Sequence, residues 1–153
     1  MENILNYMLK VGILFSMIAC AGMQKQHLQY NIVGQVFEQK YNTMPQVGTD
    51  SKKGSPLITT IYIYGPTKTS QLDGLNASFC SHINGPLIDS FVSDSFGKFN
   101  AHLKSGKYSV FVRYENAYYI PYFSGADWAT IIEVNDNNPT QLELLVRSSS
   151  NFQ

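Results

Sequence analysis

Apolar and polar residues alternate through much of the chain after residue 30, and this pattern is typical of β-strands. In residues 108–114, for example, Tyr108, Val110, Val112 and Tyr114 share one face. Other segments show similar alternation or short apolar runs between turn residues. We therefore predict strands at residues 30–37, 58–64, 78–83, 87–93, 98–103, 108–114, 131–134 and 142–146.

Turn residues separate these strands and predict how they connect. Asp94 to Gly97 forms a hairpin turn in which the aspartate caps backbone amides and the glycine adopts a positive φ. Residues 38–56 are polar and rich in Gly and Pro, which predicts a long loop. No segment after residue 30 has a sustained helical period. The predicted fold is all-β, a single antiparallel Greek-key β-sandwich of about seven strands preceded by an N-terminal signal segment.

An apolar run from Val11 to Ala19 predicts export. It has the length of a signal-peptide core and is much shorter than the roughly 20 residues that span a bilayer. Met-Ile-Ala at 17–19 precedes Cys20 as in a lipobox, so we expect cleavage before Cys20 and lipidation of its thiol. The alternatives are cleavage after Ala21 by ordinary signal peptidase, or a buried core helix without export.

Lipidation predicts the location of the mature chain. Several acyl chains on Cys20 would anchor it stably. Ala21 stands where an inner-membrane retention signal has Asp, so we expect an outer-membrane lipoprotein, facing the periplasm. We divide the chain into a signal peptide at 1–19, a tether at 20–29, the β-sandwich at 30–148 and a tail at 149–153.

Charge argues against a nucleic-acid partner. The chain has 11 basic and 11 acidic residues, and charged residues make up only 14% of it. There is no basic patch to contact phosphates and no long acidic run.

Catalytic and metal-binding motifs are absent from the sequence. The three histidines have no metal ligand at a recognised spacing, so we expect no metal and no cofactor. With Cys20 lipidated, Cys80 has no disulfide partner and is expected to be a buried, unreactive thiol. The chain is therefore predicted not to be an enzyme; a small hydrolase would need His102 and acidic residues to converge in a cleft.

Five segments occur in an order that resembles a known family. They are Gly-Gln-Val at 34–36, Asn-Thr-Met-Pro at 42–45, Ile-Tyr-Ile-Tyr at 61–64, Ser-Asp-Ser-Phe-Gly-Lys-Phe at 93–99 and Leu-Lys-Ser-Gly-Lys-Tyr-Ser-Val-Phe at 103–111. Together they resemble the carboxypeptidase regulatory-like, or transthyretin-like, β-sandwich of bacterial envelope lipoproteins, over residues 31–146. The resemblance implies the fold but little chemistry. The Tyr-Arg-Gly-Ser-type tail of the hydrolase branch does not occur in residues 149–153, so its activity is not implied.

Residues 114–128 are unusually rich in aromatic side chains. Two interpretations stay open: the rings cover one end of the sandwich, or they form a recognition surface. For the second, the predicted contact residues are Tyr118, Tyr119, Tyr122, Phe123 and Trp128. The predicted function is a lipid-anchored, non-enzymatic envelope module that binds a protein partner. The alternative is a carbohydrate-binding module that uses the same aromatic rings.

Overall fold

The computed structural model describes residues 30–40 and 54–148, and more than half of these residues lie in β-strands. They form fourteen strands and a 3-10 helix at Thr69–Gln71. The strands are β1 (Ile32–Lys40), β2 (Ser55–Pro56), β3 (Thr60–Tyr64), β4 (Leu72–Asp73), β5 (Phe79–Cys80), β6 (His82–Ile83), β7 (Leu87–Val92), β8 (Lys98–Ala101), β9 (Gly106–Tyr114), β10 (Ala117–Tyr119), β11 (Phe123–Ser124), β12 (Trp128–Ala129), β13 (Ile131–Val134) and β14 (Thr140–Ser148). The all-β prediction is confirmed, and each predicted strand overlaps at least one observed strand.

The first sheet is organised around β1. Along one edge of β1, β14 pairs in parallel from Ile32 opposite Thr140 to Lys40 opposite Ser148. Along the other edge, β8 and β2 pair antiparallel with successive parts of β1. The parallel ladder between the first and last described strands departs from the antiparallel arrangement that we expected. The Greek-key connectivity stays a prediction.

The second sheet is organised around β9 and is antiparallel throughout. Its strands follow the order β5-β10-β9-β3-β7, and β13 pairs with the first half of β9. Consequently β7 lies at one edge of this sheet and β5 at the other.

The main hydrophobic core lies between these two sheets. Each sheet contributes one face of alternating side chains, including Val36 and Leu144 from the first and Ile61 and Val112 from the second. Burying such side chains contributes about 1.5–3 kcal/mol each. The ring of Phe99 lies over Gly34, where a Cβ atom would overlap it. A larger residue at 34 would therefore displace this ring from the core.

A second, smaller core covers part of the outer face of the second sheet. Residues 65–74, 82–85 and 120–130 lie over this face and include the two-stranded pairs β4–β6 and β11–β12. The buried side chains of this second core are Tyr64, Leu72, Cys80, Ile83, Phe111, Ile120 and Ala129. The Ser109 hydroxyl donates to the Ala129 carbonyl (2.8 Å) and accepts from the Thr67 amide (2.9 Å), which ties the covering segments to β9.

The predicted turn at 94–97 is confirmed, but the predicted hairpin is wrong, because β7 pairs with β3 in the second sheet and β8 pairs with β1 in the first. One carboxylate oxygen of Asp94 accepts from the backbone amides of Phe96 and Lys98, both at 2.8 Å. Gly97 has a φ of +72°, and a Cβ atom there would overlap a backbone carbonyl of β1. These two residues turn the chain from the second sheet into the first.

Several predictions fall outside the described residues. They are the signal peptide, the lipidation site Cys20, the tether at 20–29 and the tail at 149–153. The predicted loop at 38–56 is described only at its ends, where β1 extends to Lys40 and Ser55 and Pro56 form β2. Within residues 30–40 and 54–148, we find no helix of the length and hydrophobicity needed to cross a membrane.

Candidate interaction surface

Tyr119 lies in the main core and corrects part of the predicted aromatic surface. It is only 4% exposed, and its ring meets Phe79 edge-on at a centroid distance of 5.1 Å. Because side chains alternate along β10, Tyr118 points to the opposite face of the same sheet. Tyr119 is therefore a packing residue and cannot contact a partner in this fold.

Tyr118 and Trp128 are half-buried and each has a cationic neighbour. The Tyr118 ring meets Tyr62 edge-on at 5.3 Å, and the guanidinium of Arg113 lies 5.1 Å from its centroid. The Nζ atom of Lys68 lies 5.3 Å from the Trp128 ring centroid. These cation–π contacts each contribute about 0.5–1 kcal/mol at exposed sites and occupy ring surface that a ligand would need.

Tyr122 and Phe123 are the two predicted contact residues that reach solvent, at 44% and 40% exposure. The Tyr122 hydroxyl donates to the Ile131 carbonyl at 3.3 Å, and partial burial raises the pKa of this tyrosine. The aromatic segment therefore divides: Tyr119 packs inside, Tyr118 and Trp128 are half-buried, and the rings of Tyr122 and Phe123 are exposed.

A different apolar surface lies at β7, and we did not predict it. Leu87, Ile88 and Val92 are 51%, 49% and 64% exposed, although β7 belongs to the main sheet. Ile58 is 63% exposed and precedes β3 by two residues, next to the end of β7 at Val92, which is opposite Thr60. Exposed apolar patches are uncommon on monomeric domains and often mark interaction sites. We call these four residues the β7 patch.

Within residues 30–40 and 54–148, the backbone of β7 is paired on one side only. It pairs with β3 from Val92 opposite Thr60 to Leu87 opposite Tyr64, with a register shift at Tyr64. The Ser93 amide donates to the Thr59 carbonyl at 3.0 Å, so the next amides along β7 alternate between facing β3 and facing outward. By this alternation the backbone groups of Ser90 and Val92 face the free edge.

Asp89 modifies this free edge. Its carboxylate accepts from the amide of Ser90 at 2.7 Å, which satisfies one outward donor within the strand itself. Acidic side chains and bulges on edge strands oppose uncontrolled pairing between copies. The edge thus combines exposed apolar side chains with one acidic residue, Asp89, that opposes aggregation.

The groups considered for catalysis do not gather in the described part of the chain. No three His, Cys, Asp or Glu side chains there come close enough to hold a metal ion. His102 is exposed immediately after β8. Cys80 is 1% exposed, as predicted, and burial together with the charge of Asp73 raises its pKa to about 11. The thiol is therefore protonated at neutral pH and is a poor nucleophile.

The pairing and packing of the described residues define a two-sheet β-sandwich in which an edge strand, β7, carries exposed apolar side chains. No family model, curated protein or solved structure matches this chain. The resemblance to the carboxypeptidase regulatory-like family therefore stays a prediction.

Proposed function

We propose that this protein is a non-enzymatic accessory module of the cell envelope that binds an extended segment of a partner protein along β7. The observation that carries the proposal is the exposure of Leu87, Ile88 and Val92 on a strand whose second edge has no partner among the residues that the structure describes. A partner strand added there extends the second sheet by one strand.

Strand addition uses both features of this edge. Backbone hydrogen bonds to Ser90 and Val92 supply affinity that does not depend on the partner's sequence. The β7 patch makes binding depend on the partner's sequence, because a partner with apolar residues at alternate positions covers Ile88 and Val92. A basic residue in the partner pairs favourably with Asp89 and releases the Ser90 amide for the new ladder.

The membrane half of the proposal rests on the sequence. A lipid on Cys20 holds the sandwich at the outer membrane, on the periplasmic side, and the tether at 20–29 lets it reach a neighbouring envelope protein. Anchoring confines module and partner to one surface, which raises their effective concentration, so a weak contact suffices.

Carbohydrate binding is the second candidate, and the exposure of Tyr122 and Phe123 favours it. An exposed aromatic ring presents an apolar face on which a sugar ring can stack. This surface is separate in sequence from the β7 patch, so the two candidates are distinguished by which substitutions weaken binding.

The test uses extended peptides selected against the folded protein from a random displayed library. The Kd of each selected peptide is measured by fluorescence polarisation for wild type, Ile88→Lys and Gln141→Lys. Lysine at 88 removes apolar contact area and adds a charge that disfavours strand pairing. We expect binding to weaken at least about tenfold, equivalent to about 1.4 kcal/mol.

Gln141→Lys is the matched control, because Gln141 is an exposed residue of β14, which pairs with β1 in the first sheet. It adds the same charge to a different edge and should leave the Kd unchanged. Equal weakening by both variants would indicate a general charge effect. Peptides that tolerate Ile88→Lys but lose affinity on Tyr122→Ala or Phe123→Ala would move the binding site to the aromatic surface.

A further inference from the structure

A cavity of about 500 Å³ lies at the end of the sandwich where β1 and β14 end and β9 turns into β10. This volume falls within the range of about 300–1,000 Å³ found for small-molecule sites. The described residues around it are Lys40, Gly74, Asn76, Phe79, Cys80, Ser81, Tyr114, Glu115, Asn116, Ala117 and Ser148. The cavity is separate from β7 and does not depend on the function proposed above.

The apolar part of the lining is largely aromatic. Phe79 and Tyr114 lie with ring centroids 6.1 Å apart and their planes tilted by 51°. Both rings also pack against the main core, which holds them in place. The faces of aromatic rings carry partial negative charge and attract the weakly positive C–H groups of a ligand.

The hydroxyl groups in the polar part of the lining act mostly as hydrogen-bond acceptors toward a ligand. The Tyr114 hydroxyl donates to a Glu38 carboxylate oxygen at 2.5 Å, and the Ser148 hydroxyl donates to the same oxygen at 3.2 Å. The Ser81 hydroxyl donates to the Asp73 carbonyl at 3.0 Å. With their protons engaged in this way, these hydroxyls have lone pairs left to accept from a ligand.

Donors come from the side-chain amides of Asn76 and Asn116, which also accept. The two charged residues of the lining, Lys40 and Glu115, are opposite in sign and do not select an ionic ligand. A ligand that suits this lining is uncharged, has hydroxyl groups that donate and accept, and has a C–H face for the rings.

Two residues in a strained backbone conformation flank the same cavity. Ala77, next to Asn76, has a φ of 51°, and Glu115 has a φ of 50°. Left-handed geometry at non-glycine residues costs on the order of 1 kcal/mol and concentrates at functional sites. Here it shapes the two turns that present the asparagine side chains.

From this lining we propose that the cavity binds a neutral saccharide, with Phe79 and Tyr114 against the sugar ring and Asn76 and Asn116 on its hydroxyls. The experiment is an NMR titration of the full chain with N-acetylglucosamine, its β-1,4-linked dimer and maltose. The concentration reaches about 10 mM, ten times a Kd of about 1 mM. p-Cresol, a ring with one hydroxyl, is titrated in parallel.

We expect at least one saccharide to shift the amide signals of Cys80, Tyr114 and Asn116 in a saturable way. Asn116→Ala removes an exposed amide with little risk to the fold and should weaken binding at least about fivefold. Ala117→Leu fills the cavity from β10 and should abolish the shifts. Asn137→Ala, in the exposed turn before β14, is the matched control and should change nothing.

Three results would overturn the proposal. They are no shift with any saccharide, stronger saturation at these residues by p-cresol than by every saccharide, and saccharide shifts confined to Tyr122 and Phe123. The last result would support the aromatic surface instead. None of these outcomes bears on whether Ile88→Lys weakens the binding of extended peptides to β7. The saccharide proposal and the strand-addition proposal can therefore fail independently.

Discussion

Replacing Ile120 with alanine tests whether residues 114–128 belong to the structure or mainly form a binding loop. Ile120 is fully buried in the second core, and its amide donates to the Ser78 carbonyl at 2.7 Å. The substitution removes three carbons, which costs about 2.4 kcal/mol at about 0.8 kcal/mol per buried carbon. The remaining cavity adds to this, so we expect a loss of about 3–4 kcal/mol, within the usual range of about 2–5.

Urea unfolding measures this loss with two probes. Trp128 is the only tryptophan, so its fluorescence reports on the segments over the second core, and circular dichroism reports on the sheets. Ile88→Ala removes the same atoms from a residue that is 49% exposed and should cost less than about 1.5 kcal/mol. If Ile120→Ala cost no more than Ile88→Ala by either probe, the second core would not contribute as we describe.

Three further predictions concern single contacts. Tyr114→Phe removes the donor to Glu38 and should lower the free energy of unfolding by about 1.5–3 kcal/mol; an unchanged urea midpoint would contradict this. Cys80 should resist iodoacetamide at pH 8 until denaturant is added. Its raised pKa also stabilises the fold: this contribution is complete below the pKa of the unfolded thiol, near 9, and is lost as the pH rises through the folded pKa of about 11. Rapid labelling of the native protein, or stability that rises over that pH range, would refute this. Gly97→Ala should destabilise the fold more than Gly125→Ala. Both glycines have a positive φ, but only at position 97 would a Cβ atom overlap the backbone of another strand. Equal decreases in melting temperature for the two variants would count against this.

Strand positions were predictable because the period of two is local. A segment such as 108–114 shows its alternation without reference to any other part of the chain. The turn at 94–97 was predictable for the same reason, since Asp94 and Gly97 act on their own backbone.

The direction and neighbours of each strand were not predictable from alternation. The pattern in residues 142–146 is the same whether β14 runs parallel or antiparallel to β1, and the structure has it parallel. A strand was predicted at residues 87–93, but the exposure of Leu87, Ile88 and Val92 was not. They are exposed because β7 lies at a sheet edge, and strand order is a property of the whole fold.

The arrangement of the aromatic residues at 114–128 was partly predictable from the sequence. Alternation between Tyr118 and Tyr119 was a signal that the two rings point to opposite faces, and it would have placed one of them inside. The second core was not predictable from the sequence, because Ile120 and Ala129 become buried only when segments within residues 65–85 cover the same sheet face. The short strands β11 and β12 were also missed, because Pro121 and Gly125 interrupt the sequence pattern around them.

Hydrogen exchange at β7 tests the central claim most directly. The amides of Ser90 and Val92 are assigned to the free edge, and the amide of Phe91, between them, to the ladder with β3. On binding of a selected extended peptide, exchange at Ser90 and Val92 should slow by about tenfold or more, while Phe91 changes little. A bound peptide that leaves both outward amides exchanging as in the free protein would contradict strand addition at β7.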